Sequence, residues 1–112
     1  MSSLLKRNVL CLCLLAKTDP ALVRAIIEKG NGGLVQSLCE CAHNILKGNV
    51  PLKKSQKGRL RRYKKDLRAL VKRKTSLHAR KRILQKGGFV GALLAPLAKS
   101  LLAPLVISLL QS

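Results

Sequence analysis

Leu4, Leu5, Val9, Leu12 and Leu15 recur at helical spacing near the start of the chain and predict a first helix. Asp19-Pro20 follows, a polar cap with proline at the first helical position, where its missing N–H costs nothing. A second helix is therefore expected from about Pro20 to Lys29. The cluster Gly30-Asn31-Gly32-Gly33 breaks it, and a third helix from about Leu34 to Lys47 buries Leu34, Val35, Leu38, Ala42, Ile45 and Leu46 before Gly48 stops it. Helices this short are marginal alone, so they must pack on one another or on a partner. No segment sustains the alternation of a strand, and the expected class is all-α.

Beyond Asn49-Val50-Pro51, which stays extended because the residue before proline avoids the helical region, Ser55 is placed to cap a helix of about twenty residues. Its apolar positions Leu60, Tyr63, Leu67, Leu70 and Val71 form one narrow seam, and Gly58 weakens its first turn. Thr75-Ser76 then breaks or caps, and a shorter helix through Leu77, Arg80, Lys81, Ile83 and Leu84 stops at Gly87-Gly88.

The end of the chain holds an eight-residue near-repeat, LLAPLAKS followed by LLAPLVIS. Phe89 to Leu110 spans 22 residues, about 33 Å as a helix, enough to cross a bilayer core. Two prolines and Lys99 oppose a permanent span, since a lysine at mid-membrane costs roughly 2.5–3.5 kcal/mol. A helix kinked at Pro96 and Pro104 that lies in one leaflet fits at least as well. Phe89, Leu93, Leu94, Leu97, Leu101, Leu102 and Leu105 are the residues expected to enter a membrane or to pack.

Charge sharpens this division into a helical head over 1–48, a basic region over 49–86 and an apolar tail over 87–112. The 112 residues carry a net charge of +19, yet 47% are hydrophobic and 2% aromatic. The first 46 residues are near neutral, at +2, whereas residues 47–86 hold seventeen basic groups against Asp66 alone, a charge of +16. So few acids argue against an enzyme, and the high Leu, Ala, Val and Ile content argues against a disordered basic tail. A solvated helix face normally mixes both signs. This one instead points to a polyanion, either nucleic acid or an anionic membrane surface.

Lys53, Lys54, Lys57, Arg59, Arg61, Arg62, Lys64, Lys65, Arg68, Lys72, Arg73, Lys74, Arg80, Lys81 and Arg82 are the candidate phosphate contacts. Tyr63 is the one aromatic of the basic region and belongs to the apolar seam, so no stacking platform for single-stranded bases is present. Zinc-finger, recognition-helix and basic-zipper spacings are absent as well, and the expected binding is phosphate-directed and sequence-tolerant.

Cys11 and Cys13 make one C-x-C pair and Cys39 and Cys41 another, with His43 nearby. On helices, residues two apart point in nearly opposite directions, so neither pair closes on one ion. Buried free thiols are expected, with no metal and no cofactor. Disulfides are the alternative in an oxidising compartment, and sequence does not choose a pairing. His43 and His78 read as packing or surface residues, having no carboxylate or nucleophile arranged near them in sequence. Lys6-Arg7 followed by residues 9–16 mimics the start of a signal peptide, but Leu14 and Ala16 fit a small-residue cleavage site poorly.

The run Lys86-Gly87-Gly88-Phe89-Val90-Gly91-Ala92-Leu93-Leu94-Ala95-Pro96-Leu97 resembles the junction between basic block and apolar tail in the adenovirus core protein X family, precursors of the mu peptide. Together with Leu38-Cys39-Glu40-Cys41-Ala42-His43-Asn44-Ile45-Leu46-Lys47-Gly48-Asn49-Val50-Pro51-Leu52, the pattern resembles the short basic proteins of adintoviruses and Polinton (Maverick) elements. The resemblance implies a viral core protein that binds and condenses double-stranded DNA, located in the virion core and the host nucleus, with capsid or core proteins as further partners. It also implies a protease cut between Gly88 and Phe89, although Gln85 stands where the family prefers Met, Ile or Leu. The head has no counterpart in the adenovirus protein. The alternative function is a membrane-active protein whose tail inserts while the basic segment grips anionic lipid. A homo-oligomer that closes exposed apolar faces is a third expectation.

Overall fold

A computed structural model of the chain describes residues 12, 15, 19–30, 32–97, 107, 110 and 111. Among these, six helices form and no strand: α1 Pro20–Lys29, α2 Gly32–Leu46, α3 Lys54–Arg61, α4 Lys64–Val71, α5 Leu77–Leu84 and α6 Phe89–Leu94. The all-α class is as expected. Of the first predicted helix, Leu12 and Leu15 are helical and buried, and the rest lies outside the described residues.

Local chemistry sets most of the boundaries. Asp19 Oδ1 accepts the Ala21 N–H at 2.8 Å, with Pro20 opening α1 as predicted. Gly30 ends it, and its missing Cβ matters, because one built there would lie 3.0 Å from Leu34 Cδ2 and 3.1 Å from the Ile26 carbonyl. α2 starts two residues before the expected Leu34 and stops at Leu46. Gly48 then takes φ +76°, its N–H donating to Ile45 O and that of Asn49 to Asn44 O, the paired bonds of a glycine-terminated helix. Leu46, expected in the core, stands 40% exposed at that end. Ser76 Oγ accepts the Ala79 N–H at 3.1 Å and caps α5.

The long cationic helix is a correction. It is two eight-residue helices, α3 and α4, separated at Arg62 and Tyr63. Tyr63 leaves helical geometry, at φ −107° and ψ 18°. Its hydroxyl donates to the Gly87 carbonyl at 3.0 Å, and its ring meets Phe89 edge to face, with centroids 5.1 Å apart. A single straight helix presents its seam to one neighbour. The break lets α3 pack on α6 while α4 packs on α2. The seam itself is as read from the spacing: Leu60, Leu67 and Leu70 are buried, and Tyr63 and Val71 are partly buried against them.

The apolar tail is described continuously only as far as Leu97. No helix of the described residues is long and apolar enough to cross a membrane. α6 ends at Leu94, and Ala95 and Pro96 form a turn, because proline lacks the N–H that would continue the ladder and its ring crowds the preceding turn. The expected kink at Pro104, with Leu101, Leu102 and Leu105, lies outside the described residues. Phe89, Leu93, Leu94 and Leu97 have no exposed surface.

Those four join one core with residues from all three sequence segments, including Leu12, Ile27 and Leu38 from the head and Leu60, Leu70 and Leu84 from the basic region. α2 is central and touches α4, α5 and α6. The Cα radius of gyration is 13.1 Å, which matches about 13 Å for a folded chain of this length. The basic region is thus a layer of the folded body.

Candidate nucleic-acid interface

α3 and α4 bury leucines on the inside and carry cations outside. Lys53, Lys54, Lys57, Arg59, Arg61 and Arg62 on and beside α3 are exposed, as are Lys64, Lys65 and Arg68 on α4. Lys72, Arg73 and Lys74 extend the layer into the turn before α5, which adds Arg82. The lone acid of this region is occupied elsewhere: Asp66 accepts Lys86 Nζ at 2.8 Å. None of the outward cations makes an ion pair with a described residue.

Two predicted contacts are placed differently. Arg80 and Lys81 are partly buried. Arg80 Nη2 donates to the Lys72 carbonyl at 2.9 Å, closing the turn between α4 and α5, while its Nε is buried without a bond. Lys81 Nζ donates to the Glu28 carbonyl at 3.1 Å and ties α5 to α1. Both side chains spend hydrogen-bonding capacity on the fold. Arg24, which the sequence did not nominate, is brought to the basic region by α1: its Nε donates to the Gln85 carbonyl at 3.0 Å. No spacing rule links residues 61 apart, so only the packing of α1 on α5 reveals it.

The helix ends add to the positive field. Lys53 caps α3, Lys54 opens it, and its first turn has no acid, whereas α4, opened by Lys64 and Lys65, holds Asp66 in its first turn. The N-terminal end of a helix carries a partial positive charge that disfavours cations by about 0.3–1 kcal/mol. An external anion relieves that repulsion. Tyr63 is half-buried and held by Gly87 and Phe89.

The Gly88–Phe89 bond sits inside a hydrogen-bonded turn. Phe89 N–H donates to Lys86 O at 3.1 Å, Gly88 O accepts the Ala92 N–H at 3.0 Å, and Gly88 has φ +77°. With the Phe89 ring fully buried, the segment is not an extended strand of the kind a protease grips.

Cys39 and Cys41 are buried free thiols. Burial raises Cys39, partly offset by the charge of Arg80, and pushes Cys41 up to about 12, with Glu40 and Cys39 adding to the rise. Both remain neutral in the fold. The contribution of Cys41 is intact below the ordinary thiol value of 9.0 and is lost as pH climbs from there toward about 12, because only the unfolded chain ionises in that window. Iodoacetamide at pH 8 is expected to label Cys41 at least tenfold more slowly in the native chain than in urea. Peptide mapping of Cys39 and Cys41 reads this out, and equal rates would place the thiols at the surface. Cys11 and Cys13 lie outside the described residues, and among those described no cluster of metal-ligating side chains occurs.

Comparison with protein-family models, with curated proteins and with solved structures gives no match.

Proposed function

We propose that the chain binds and condenses double-stranded DNA without sequence specificity, as a viral core protein of the kind its junction sequence resembles, acting in the virion core and the host nucleus. The observation that carries this is the outward placement of Lys and Arg over α3, α4 and the following turn, with the single acid of the region bound to Lys86. Such a surface attracts phosphates through counterion release, and nothing on it reads base edges. The head supplies α1, on which α5 packs, and α2, on which α4 packs. Among the described residues, exposed Leu22, Leu46, Leu77, Ile107 and Leu110 are apolar positions available to a capsid or core protein, or to a second copy.

The test is a gel shift with two unrelated duplexes across a salt series. Both are expected to bind alike, with a log–log slope against salt of roughly −0.9 for each phosphate neutralised. An affinity indifferent to salt, or strong preference for one duplex, would overturn the proposal. The membrane-active alternative requires Phe89, Leu93, Leu94 and Leu97 to leave a core in which they are fully buried. Dye release from anionic liposomes by the full chain is its test, and no leakage is expected.

A further inference from the structure

Between α1, α3 and the junction of α5 with α6 lies a groove of about 160 Å³. Arg24, Arg59 and Lys86 line it from three separate elements, beside Leu84, Val90 and Gly91. No carboxylate lines it. Asp66 reaches it only through its ion pair with Lys86, and Glu28 lies beyond it, its Oε2 accepting the Gln85 amide at 2.6 Å.

Two of the three cations are already positioned. Arg24 is fixed through Nε on the Gln85 carbonyl, and the Gln85 amide returns a bond to the Arg24 carbonyl at 3.3 Å. The terminal nitrogens of Arg24 bond no described residue. Lys86 is fixed by Asp66. Arg59 is exposed on α3 and makes no ion pair with a described residue. A planar guanidinium anchored at one nitrogen and open at the other two suits the oxygens of a phosphate. With Lys86 paired to Asp66, Arg24 and Arg59 leave two charges at the groove, which favour a dianion over a monoanion because the attraction scales with the product of the charges.

We propose that this groove is a binding site for a phosphate monoester dianion, with Arg24 and Arg59 as its principal ligands. The two sources of that chemistry are the terminal phosphate of a nucleic-acid strand and free phosphate. The groove concerns residues apart from the outward duplex-binding layer, Arg59 excepted, so either proposal can fail while the other holds.

Gly91 supplies a test that leaves every charge in place. A Cβ at this helical position meets nothing within 4 Å, and Gly91 lines the groove. Gly91→Leu therefore fills the groove, while Gly91→Ala controls for the gain in helix propensity. The full chain and its variants are titrated with inorganic phosphate at constant ionic strength, following the amide signals of Gly88 and Gly91 by NMR, after each variant's melting transition has been recorded. Saturable shifts are expected in the parent and in Gly91→Ala. Gly91→Leu is expected to weaken binding by about tenfold or more and Arg24→Gln by about three- to tenfold, the range for the net loss of one hydrogen bond. Should Gly91→Leu fail to fold, Arg24→Gln carries the test.

A duplex with 5′-phosphates is then compared with the same duplex bearing 5′-hydroxyls. A several-fold preference for the phosphorylated ends that disappears in Gly91→Leu assigns the strand terminus as the source. Equal affinity with saturable phosphate binding assigns free phosphate. Shifts that never saturate, or that are the same in the parent, Gly91→Leu and Arg24→Gln, overturn the proposal.

Discussion

A chain ended at Gly88 is expected to lose the cooperative thermal transition of the full protein. The truncation removes Phe89, Val90, Leu93, Leu94 and Leu97, all buried at 2% exposure or less. Burying each such side chain contributes about 1.5–3 kcal/mol, and their sum rivals the whole stability of about 5–15 kcal/mol expected of a small domain. The loss also removes the partner against which α3 packs and the ring that Tyr63 meets edge on. Circular dichroism during heating measures the outcome. A truncated chain that melts cooperatively within a few degrees of the parent would mean that the core is complete without the tail. Helical signal lost together with retained duplex binding would instead show that charge alone supports the grip and that folding serves another purpose.

The second large effect concerns affinity. Arg61, Arg62, Lys64 and Lys65 flank the break between α3 and α4, are exposed, and bond no described acid. Replacing these four by Gln is expected to lower the magnitude of the salt slope by about 3 to 4 and to weaken duplex binding at 0.1 M salt by roughly three orders of magnitude. Stability is expected to hold or rise slightly, since exposed substitutions away from packing contacts usually stay within about 0.5 kcal/mol and self-repulsion is relieved. Nitrocellulose filter binding across salt concentrations, alongside a melting curve, separates the two quantities. A slope that changes by less than one would locate the phosphate contacts elsewhere on the molecule.

Features written in a few neighbouring residues were legible in the sequence. Asp19-Pro20, Gly48 and Ser76 each act through bonds to residues two to five positions away, and each marks the boundary that the residue types predict. The seam of Leu60, Leu67 and Leu70 was equally plain, because helical spacing alone selects it. The break at Tyr63 was not, since the groups that hold it there, Gly87 and Phe89, lie 24 and 26 positions further on. The tail illustrates a deeper ambiguity. Leu93, Leu94 and Leu97 have the same affinity for a protein core as for lipid, and only the proximity of α2, α3 and α5 to α6 reveals which apolar surroundings they meet. In the basic region, exposure followed from charge for most residues, but Arg80 and Lys81 found carbonyls on other elements, and Arg24 found Gln85. These are tertiary bonds, which side-chain type does not announce.

The bond from the Tyr63 hydroxyl to the Gly87 carbonyl imposes an order of events. A protease needs several residues of extended chain, and here the residues on both sides of Gly88 are held by helix α6, by the turn and by a buried ring. Any cut after Gly88 therefore belongs to a newly made or locally opened chain, and folding closes the window. The glycine pair is thus a gauge of local opening: its susceptibility to any added protease reports how often the turn and α6 come apart.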